Sequence, residues 1–304
     1  MRAILVGAVE SSQVALRALG RSPGWDVAAV VTLADELSSR HSDFTDLSQD
    51  ADALGIDVIR VRNVNDEDAL ARLRVLAADY IFVVGWSQIC GPDFLAIAPD
   101  RVIGYHPAAL PRMRGRAAIP WTILRQEPIT AGTLFWIDSG TDTGALLDQQ
   151  FFHVSPLETA ATLYAKHMRA LSDMLARTLP AMAAGHVPRL AQDEECATWS
   201  ARRTESDGLI DWSAPAAEIA RLVRAVGRPY PGAFTDVKGK RMQIWAAESC
   251  DRGDRHFGRS GQVVEIDGDR FTILCGQRTS LTVTEWRSAD GRRPRLHSVL
   301  GEGV

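Results

Sequence analysis

Short, almost unbroken apolar runs alternate with amphipathic stretches through the first half of the chain. Residues 3–7 (Ala3, Ile4, Leu5, Val6, Gly7), 26–33, 57–61, 80–84 and 101–105 read as strands. Residues 11–19, with Val14, Ala15, Ala18 and Leu19 at helical spacing, and residues 47–54 and 66–76 read as helices. Strands that are apolar on both faces, separated by helices, predict a parallel sheet covered on both sides. Ligands of such sheets bind outside the carboxyl ends of the strands, which directs attention to the segments after Val84 and Tyr105. Residues 132–137 and 146–152 add two more strands, and a long helix over about 157–184 is closed by Gly185 and Pro188. The chain is irregular and polar over 189–206. Beyond it, one helix (215–226) gives way to turns and short strands over 242–246, 261–266, 270–275 and 280–286.

The expected architecture is therefore α/β: a Rossmann-like, mostly parallel N-terminal domain (1–188), a linker (189–206), and a small β-barrel-like, OB-like C-terminal domain (207–304). The length of 304 residues suits two domains, and a core of that size needs no disulfides. The four cysteines stand far apart without a C-x-x-C pair, which argues against zinc and a disulfide scaffold and fits a reducing, cytoplasmic setting. No stretch approaches the length of a membrane span. The formal charge of −4 is uneven: residues 207–304 hold 15 basic and 13 acidic side chains, so the remainder is more acidic than the whole. A broad nucleic-acid surface does not follow from that balance.

Two familiar phosphate-binding signals are missing. The first strand runs into Gly7-Ala8-Val9-Glu10-Ser11-Ser12, which is not G-x-G-x-x-G, and no G-x-x-x-x-G-K-[ST] occurs. Candidate chemistry concentrates instead in two loops. In the first, His106 follows the strand 101–105, and Arg112, Arg114 and Arg116 arrive within five positions. Arginine suits bidentate binding of carboxylate or phosphate. In the second, Asp138-Ser139-Gly140-Thr141-Asp142-Thr143-Gly144 is a polar loop between apolar strands, where a carboxylate could orient His106 as a general base. Taken singly, each feature has a structural reading too: a core histidine, a solvated arginine surface, and a loop shaped by Asp and Gly turn chemistry.

Order and spacing add a resemblance. Residues 80–147 resemble the catalytic core of the 10-formyltetrahydrofolate-dependent formyltransferases, which show Asn-x-His, a Ser-Leu-Leu-Pro-like run, Arg-Gly and Leu-Asp-Thr-Gly. The counterparts are Gly104-Tyr105-His106, Ala108-Ala109-Leu110-Pro111, Arg114-Gly115 and Thr141-Asp142-Thr143-Gly144. Gly208-Leu209-Ile210-Asp211-Trp212, Val223-Arg224-Ala225 and residues 229–234 resemble that family's C-terminal domain. Arg114-Gly115-Arg116-Ala117 with Trp121, and Trp212, Pro215 and Ala216, are most similar to the sugar-nucleotide N-formyltransferases, such as those acting on UDP-4-amino-4-deoxy-L-arabinose.

The resemblance implies formyl transfer from 10-formyltetrahydrofolate, as co-substrate and without a metal, to an amine. It makes His106 the general acid/base and Asp142 the residue that holds it. It places Gln88, Ile89, Cys90, Asp138, Ser139, Gly140, Thr141 and Asp142 around the folate. Arg116, which matches a binding-site arginine of the sugar-modifying branch, joins that set. Arg114, Arg224 and Arg228 become candidate partners of a substrate diphosphate. The expected acceptor is a nucleotide-linked amino sugar. The stretch 33–46, with one Arg against four acids, argues against tRNA. Methionyl-tRNA or a hydroxyornithine is the second reading, and a folate-binding protein or formyl-folate hydrolase the third. The sugar-modifying relatives are often dimers, which leaves a homodimer open.

One departure stands out. Gly104 occupies the position of the family's oxyanion-donating Asn, and losing such a donor costs about 2.7–4 kcal/mol of barrier. His106 alone, Ser87, Gln88, Tyr105, a water or the substrate itself are the candidate replacements.

Overall fold

A computed structural model describes residues 1–40, 43–250 and 253–301. His41 and Ser42 of the acidic stretch 33–46, and the last three residues of the expected C-terminal domain, lie outside the described residues. In chain order the first part runs β1 (Arg2–Val6), α1 (Glu10–Arg21), β2 (Asp26–Leu33), α2 (Ser48–Leu54), β3 (Val58–Val61), α3 (Glu67–Arg74), β4 (Tyr80–Val83), α4 (Pro92–Leu95) and β5 (Val102–His106). It continues through β6 (Arg114–Gly115), α5 (Ala118–Leu124), β7 (Ile129–Trp136), β8 (Leu146–His153), α6 (Ala160–Ala183) and β9 (Trp199–Ser200).

Seven strands form one sheet in the order β3-β2-β1-β4-β5-β7-β8. The first five are mutually parallel, and β7 and β8 run antiparallel at the end. The parallel strands are apolar on both faces because both faces are covered. Ala3, Leu5, Phe82 and Ile103 pack with Leu16, Leu19, Leu171 and Leu175 on one side. Ile4, Val6, Ile81 and Val102 pack with Leu70, Leu73 and Phe94 on the other. The sheet thus holds the carboxyl ends of β4 and β5 side by side, with β7 beside β5 in the register Gly104↔Phe135 and His106↔Thr133.

The chain divides into two compact units. The first comprises Met1–Ala118, Ile129–His153 and Tyr164–Ala201, and the second Ile119–Pro128, Val154–Leu163 and Arg202–Val304. The irregular stretch after residue 189 has structure of its own in the first unit. Leu190 bridges Leu146, and β9 pairs in parallel with β6.

The second unit holds α7 (Ala216–Val226), β10 (Ala233–Val237), β11 (Lys240–Cys250), β12 (Val263–Asp267), β13 (Arg270–Leu274) and β14 (Ser280–Ser288). The strands form an antiparallel sheet in the order β10-β11-β14-β13-β12. No strand pair joins β12 to β10. Residues 297–301 do so instead, through His297 N–H to Val263 O, Val263 N–H to Ser298 O and Gly301 N–H to Asp236 O. This closure satisfies edge groups that an open sheet would leave bare. Ile244, Phe271, Ile273, Leu281 and Val283 are buried in this sheet, and Ile219 and Val223 are buried on α7.

Candidate active site

His106 is the last residue of β5 and is buried, with 6% of its surface exposed. Its Nε2 lies 2.7 Å from the Met113 carbonyl oxygen. A carbonyl only accepts, so Nε2 carries the proton, and in the neutral ring Nδ1 is the bare nitrogen. Nδ1 faces Asp142 Oδ2 at 3.6 Å. The ring is therefore gripped at one nitrogen and offers the other, beside a carboxylate, as the proton acceptor.

Asp142 is held on its other flank. Its Oδ2 accepts the Gly115 N–H at 2.8 Å, and its carbonyl accepts Gln192 Nε2 at 2.8 Å. The same Gln192 amide reaches Gly144 O at 2.7 Å. Asp142 has φ +55°, a left-handed conformation that Asp tolerates better than most residues. Upstream, Asp138 Oδ1 accepts the Gly140 N–H and the Thr143 hydroxyl, which shapes the turn. Gly144 lets the loop tuck under β7: a Cβ there would sit 1.6 Å from Trp136 O. The loop after His106 is equally pinned, through Thr133 Oγ1 to Ala108 O at 2.6 Å and Gln149 Nε2 to Leu110 O at 2.9 Å.

Beside this pair opens a cavity of about 170 Å³. Gln88, Ile89 and Cys90 line it, as do all of residues 138–142; Trp86, Phe135 and Ile137 supply apolar wall. Gly104 and Tyr105 line it as well. The space a side chain at 104 would need is taken. A Cβ on Gly104 would meet Phe135 Cε1 at 2.7 Å, Phe135 Cζ at 2.9 Å and Ile137 Cγ1 at 3.1 Å. Phe135 is itself buried against Leu110 and Leu146. The absence of a side chain at Gly104 is thus coupled to a large apolar residue across the β5–β7 ladder.

A formyl transferase family model matches residues 3–179, and a model of the formyl transferase C-terminal domain matches residues 203–301. The chain belongs to the formyl transferase family. Its fold is similar to that of WlaRD, a sugar 3N-formyl transferase solved with dTDP and 5-N-formyl-THF (17% identity, TM-score 0.67, 93% of this chain and 97% of that one). It is also similar to an N-formyltransferase from Helicobacter canadensis in complex with folinic acid and dTDP-3-aminofucose (17% identity, TM-score 0.66, 93% and 98%). A third similar structure is HypX from Aquifex aeolicus with tetrahydrofolic acid (17% identity, TM-score 0.66), where the match covers 95% of this chain and 44% of that one.

Several side chains of this formyltransferase are spent on the fold. The Gln88 amide accepts the Val64 N–H at 3.1 Å and donates to Arg62 O at 2.8 Å. The Tyr105 hydroxyl contacts His167 Nδ1 and His167 O, both at 3.2 Å. Burial pushes the Tyr105 phenol up, and it pushes the Cys90 thiol up to about 12, which keeps that sulfur neutral. Ile89 is 83% exposed at the cavity, and its carbonyl accepts Asn65 Nδ2 at 2.8 Å. Arg116 is exposed, with Nη2 3.4 Å from Ser87 O.

Arg114 is 1% exposed. It grips Glu194 with two N–H groups at 2.6 and 2.8 Å and Gln192 with two at 2.8 and 3.1 Å. It leaves one guanidinium N–H and almost no surface for a substrate. Arg224 and Arg228 lie in the second unit. Arg224 donates to Pro156 O at 3.2 Å, and its Nε is buried without a partner among the described residues. Arg228 pairs with Glu285 at 2.8 Å and stacks over Trp245.

The sequence reading passed over Trp86, Phe135, His167, Gln192 and Glu194. Trp86 lines the cavity, and its Nε1–H is buried without a partner among the described residues. Its place just past β4, at the sheet's carboxyl edge, was the available signal. Among the described residues no group of three or more His, Cys, Asp or Glu is arranged to hold a metal, and no helix is long and apolar enough to cross a membrane.

Proposed function

We propose that this formyltransferase moves a formyl group from 10-formyltetrahydrofolate to the amine of a nucleotide-linked amino sugar, with His106 as the base and Asp142 as the residue that holds it. The carrying observation is the His106–Asp142 pair beside the cavity: Nε2–H fixed on Met113 O, Nδ1 bare toward Asp142, and Asp142 itself anchored by Gly115. The cavity suits a flat heteroaromatic head. It has apolar walls at Trp86, Phe135 and Ile137, a polar rim at 138–142, and in Trp86 Nε1–H a buried donor that a bound ligand would satisfy. The formyl donor supplies an activated one-carbon acyl group. As the acceptor nitrogen bonds to the formyl carbon, it sheds a proton that His106 Nδ1 takes, and the ring returns a proton to the departing folate nitrogen. Asp142 stabilises the imidazolium between those transfers.

Gly104 offers the formyl oxygen no donor, and Gln88 and Tyr105 are committed elsewhere. We assign that oxygen to Trp86 Nε1–H, a donor at the cavity that has no partner among the described residues. Arg114 becomes a positioning residue: through Gln192 it fixes the carbonyls of Asp142 and Gly144. The nucleotide-linked acceptor is supported by two similar structures that hold dTDP and dTDP-3-aminofucose.

The test is mass spectrometry of products from 10-formyltetrahydrofolate with a panel of UDP- and dTDP-linked amino sugars and with methionyl-tRNA. A formylated amino sugar that disappears with Asp142→Asn supports the reading. Formate without formylated acceptor, or product from the tRNA alone, overturns it.

A further inference from the structure

The second unit contains a cavity of about 220 Å³ between the β10–β11 hairpin and the loop that follows β14. Five cations line it, namely Lys238 and Lys240 from the hairpin and Arg292, Arg293 and Arg295 from the loop, against one carboxylate, Asp290. The hairpin turn is built from Lys238 (φ +53°) and Gly239 (φ +75°), so Lys238 stands at its tip. The loop is fastened at both ends. Ser288 Oγ donates to Arg292 O at 2.9 Å, and the Ser298 hydroxyl and N–H both donate to Arg295 O, at 2.6 and 3.0 Å. Pro294 is buried between the arginines that flank it.

Internal partners account for only part of this charge. Lys240 pairs with Asp290 at 3.1 Å, and Asp290 also accepts the Arg292 backbone N–H at 3.1 Å. The Lys240 ammonium and then that N–H hold the Asp290 carboxyl below the usual range. Arg293 donates to Gly268 O. Among the described residues, the side chains of Lys238, Arg292 and Arg295 have no carboxylate partner. Cations crowded on one cavity repel one another, and a multiply charged anion offsets that repulsion. Guanidinium pairs and an ammonium suit phosphate oxygens. The volume falls below the roughly 300–1,000 Å³ of pockets for drug-sized ligands. That favours a compact anion, and the net charge of −4 on the whole chain argues against a long phosphodiester.

We infer that this cavity is a second ligand site, which binds a compact polyphosphate: inorganic pyrophosphate or the diphosphate end of a small metabolite. It shares no residue with the cavity beside His106.

Isothermal titration of the full chain with inorganic pyrophosphate at low salt tests the inference, beside the triple variant Lys238→Ala/Arg292→Ala/Arg295→Ala. The expected result is one saturable event in the wild type, tighter than for inorganic phosphate. The variant should weaken it by about a hundredfold while keeping the melting temperature and formyl transfer. Pyrophosphate should also slow hydrogen exchange across residues 288–298 in the wild type, a readout that stands even where the variant does not fold. Equal affinity in the folded variant, no saturable binding, unchanged exchange at 288–298, or a single-stranded RNA that binds more tightly than pyrophosphate and is not displaced by it would each overturn the proposal.

Discussion

Replacing Gly104 by alanine should destabilise β5, although the same change in an open strand would help. Alanine in place of glycine at an ordinary extended position gains about 0.5–1 kcal/mol through the unfolded chain and the strand's own preferences. Here the new Cβ would lie 2.7 Å from Phe135 Cε1 and 2.9 Å from Cζ. Carbon atoms in contact sit at about 3.5–4.0 Å. The ring cannot swing aside cheaply, because Leu110 and Leu146 hold it in a site where only 5% of its surface is exposed. Overpacking of this kind costs about 1–3 kcal/mol. The net effect is a loss of about 1–2 kcal/mol, read as roughly 5–30-fold faster amide exchange in β5 and β7 when reclosing outpaces exchange. Phe135→Leu removes both offending ring atoms. In that background Gly104→Ala should become neutral or stabilising, a coupling of about 1–3 kcal/mol in the double-mutant cycle. Hydrogen-exchange mass spectrometry resolves these strands from the second unit, which a global unfolding curve would not. Slower exchange in Gly104→Ala alone, or equal increments in both backgrounds, would refute the reasoning.

Three further predictions concern the site. Asp142→Asn should keep the fold, since an Asn oxygen can still accept the Gly115 N–H and Asn tolerates φ +55°, while turnover falls about a hundredfold or more; retained turnover in a steady-state assay would remove Asp142 from the mechanism. His167 is fully buried, and burial followed by the nearby His106 pushes it down to about 3 from its ordinary 6.5. Below about pH 6.5 the unfolded chain takes a proton that the folded chain refuses until near pH 3, so stability falls by about 1.4 kcal/mol per pH unit in that window; His167→Gln should flatten this part of the urea-midpoint profile. Gly144→Ala should fail to reach the native loop, because its Cβ would overlap Trp136 O; circular dichroism and solubility of the purified variant check this.

The alternation of strands and helices in the first unit was legible because its signals are local. A run such as Ala3-Ile4-Leu5-Val6 states that both faces are buried, and the spacing of Val14, Ala15, Ala18 and Leu19 points to the helix face that covers them: Ala15 and Leu19 are fully buried and Val14 and Ala18 partly so, while Leu16, outside that spacing, is buried too. That the loops carrying His106 and Asp142 meet was legible too, since the carboxyl edge of a parallel sheet is where such loops converge. The same local signals left β7 and β8 without a direction, because periodicity reports which faces are buried and not which way a strand runs.

The chain's own sequence determined that two loops rich in polar and titratable groups end up at one sheet edge, and that the charge is split between its parts. Only the tertiary structure decided what each group faces. The register of β5 and β7 set Phe135 against Gly104, and so filled the room of a side chain that the sequence merely showed to be missing. The pairing of β6 with β9 gave Arg114 its partners in Gln192 and Glu194, and so turned a candidate substrate clamp into a brace for Asp142. The closing segment 297–301 and the β10–β11 hairpin likewise gathered cations that stand far apart along the chain. In each case the deciding contact joins residues that are distant in sequence. The pattern of polar and apolar positions fixes which face a residue takes, and long-range register and loop closure fix its neighbour across that face.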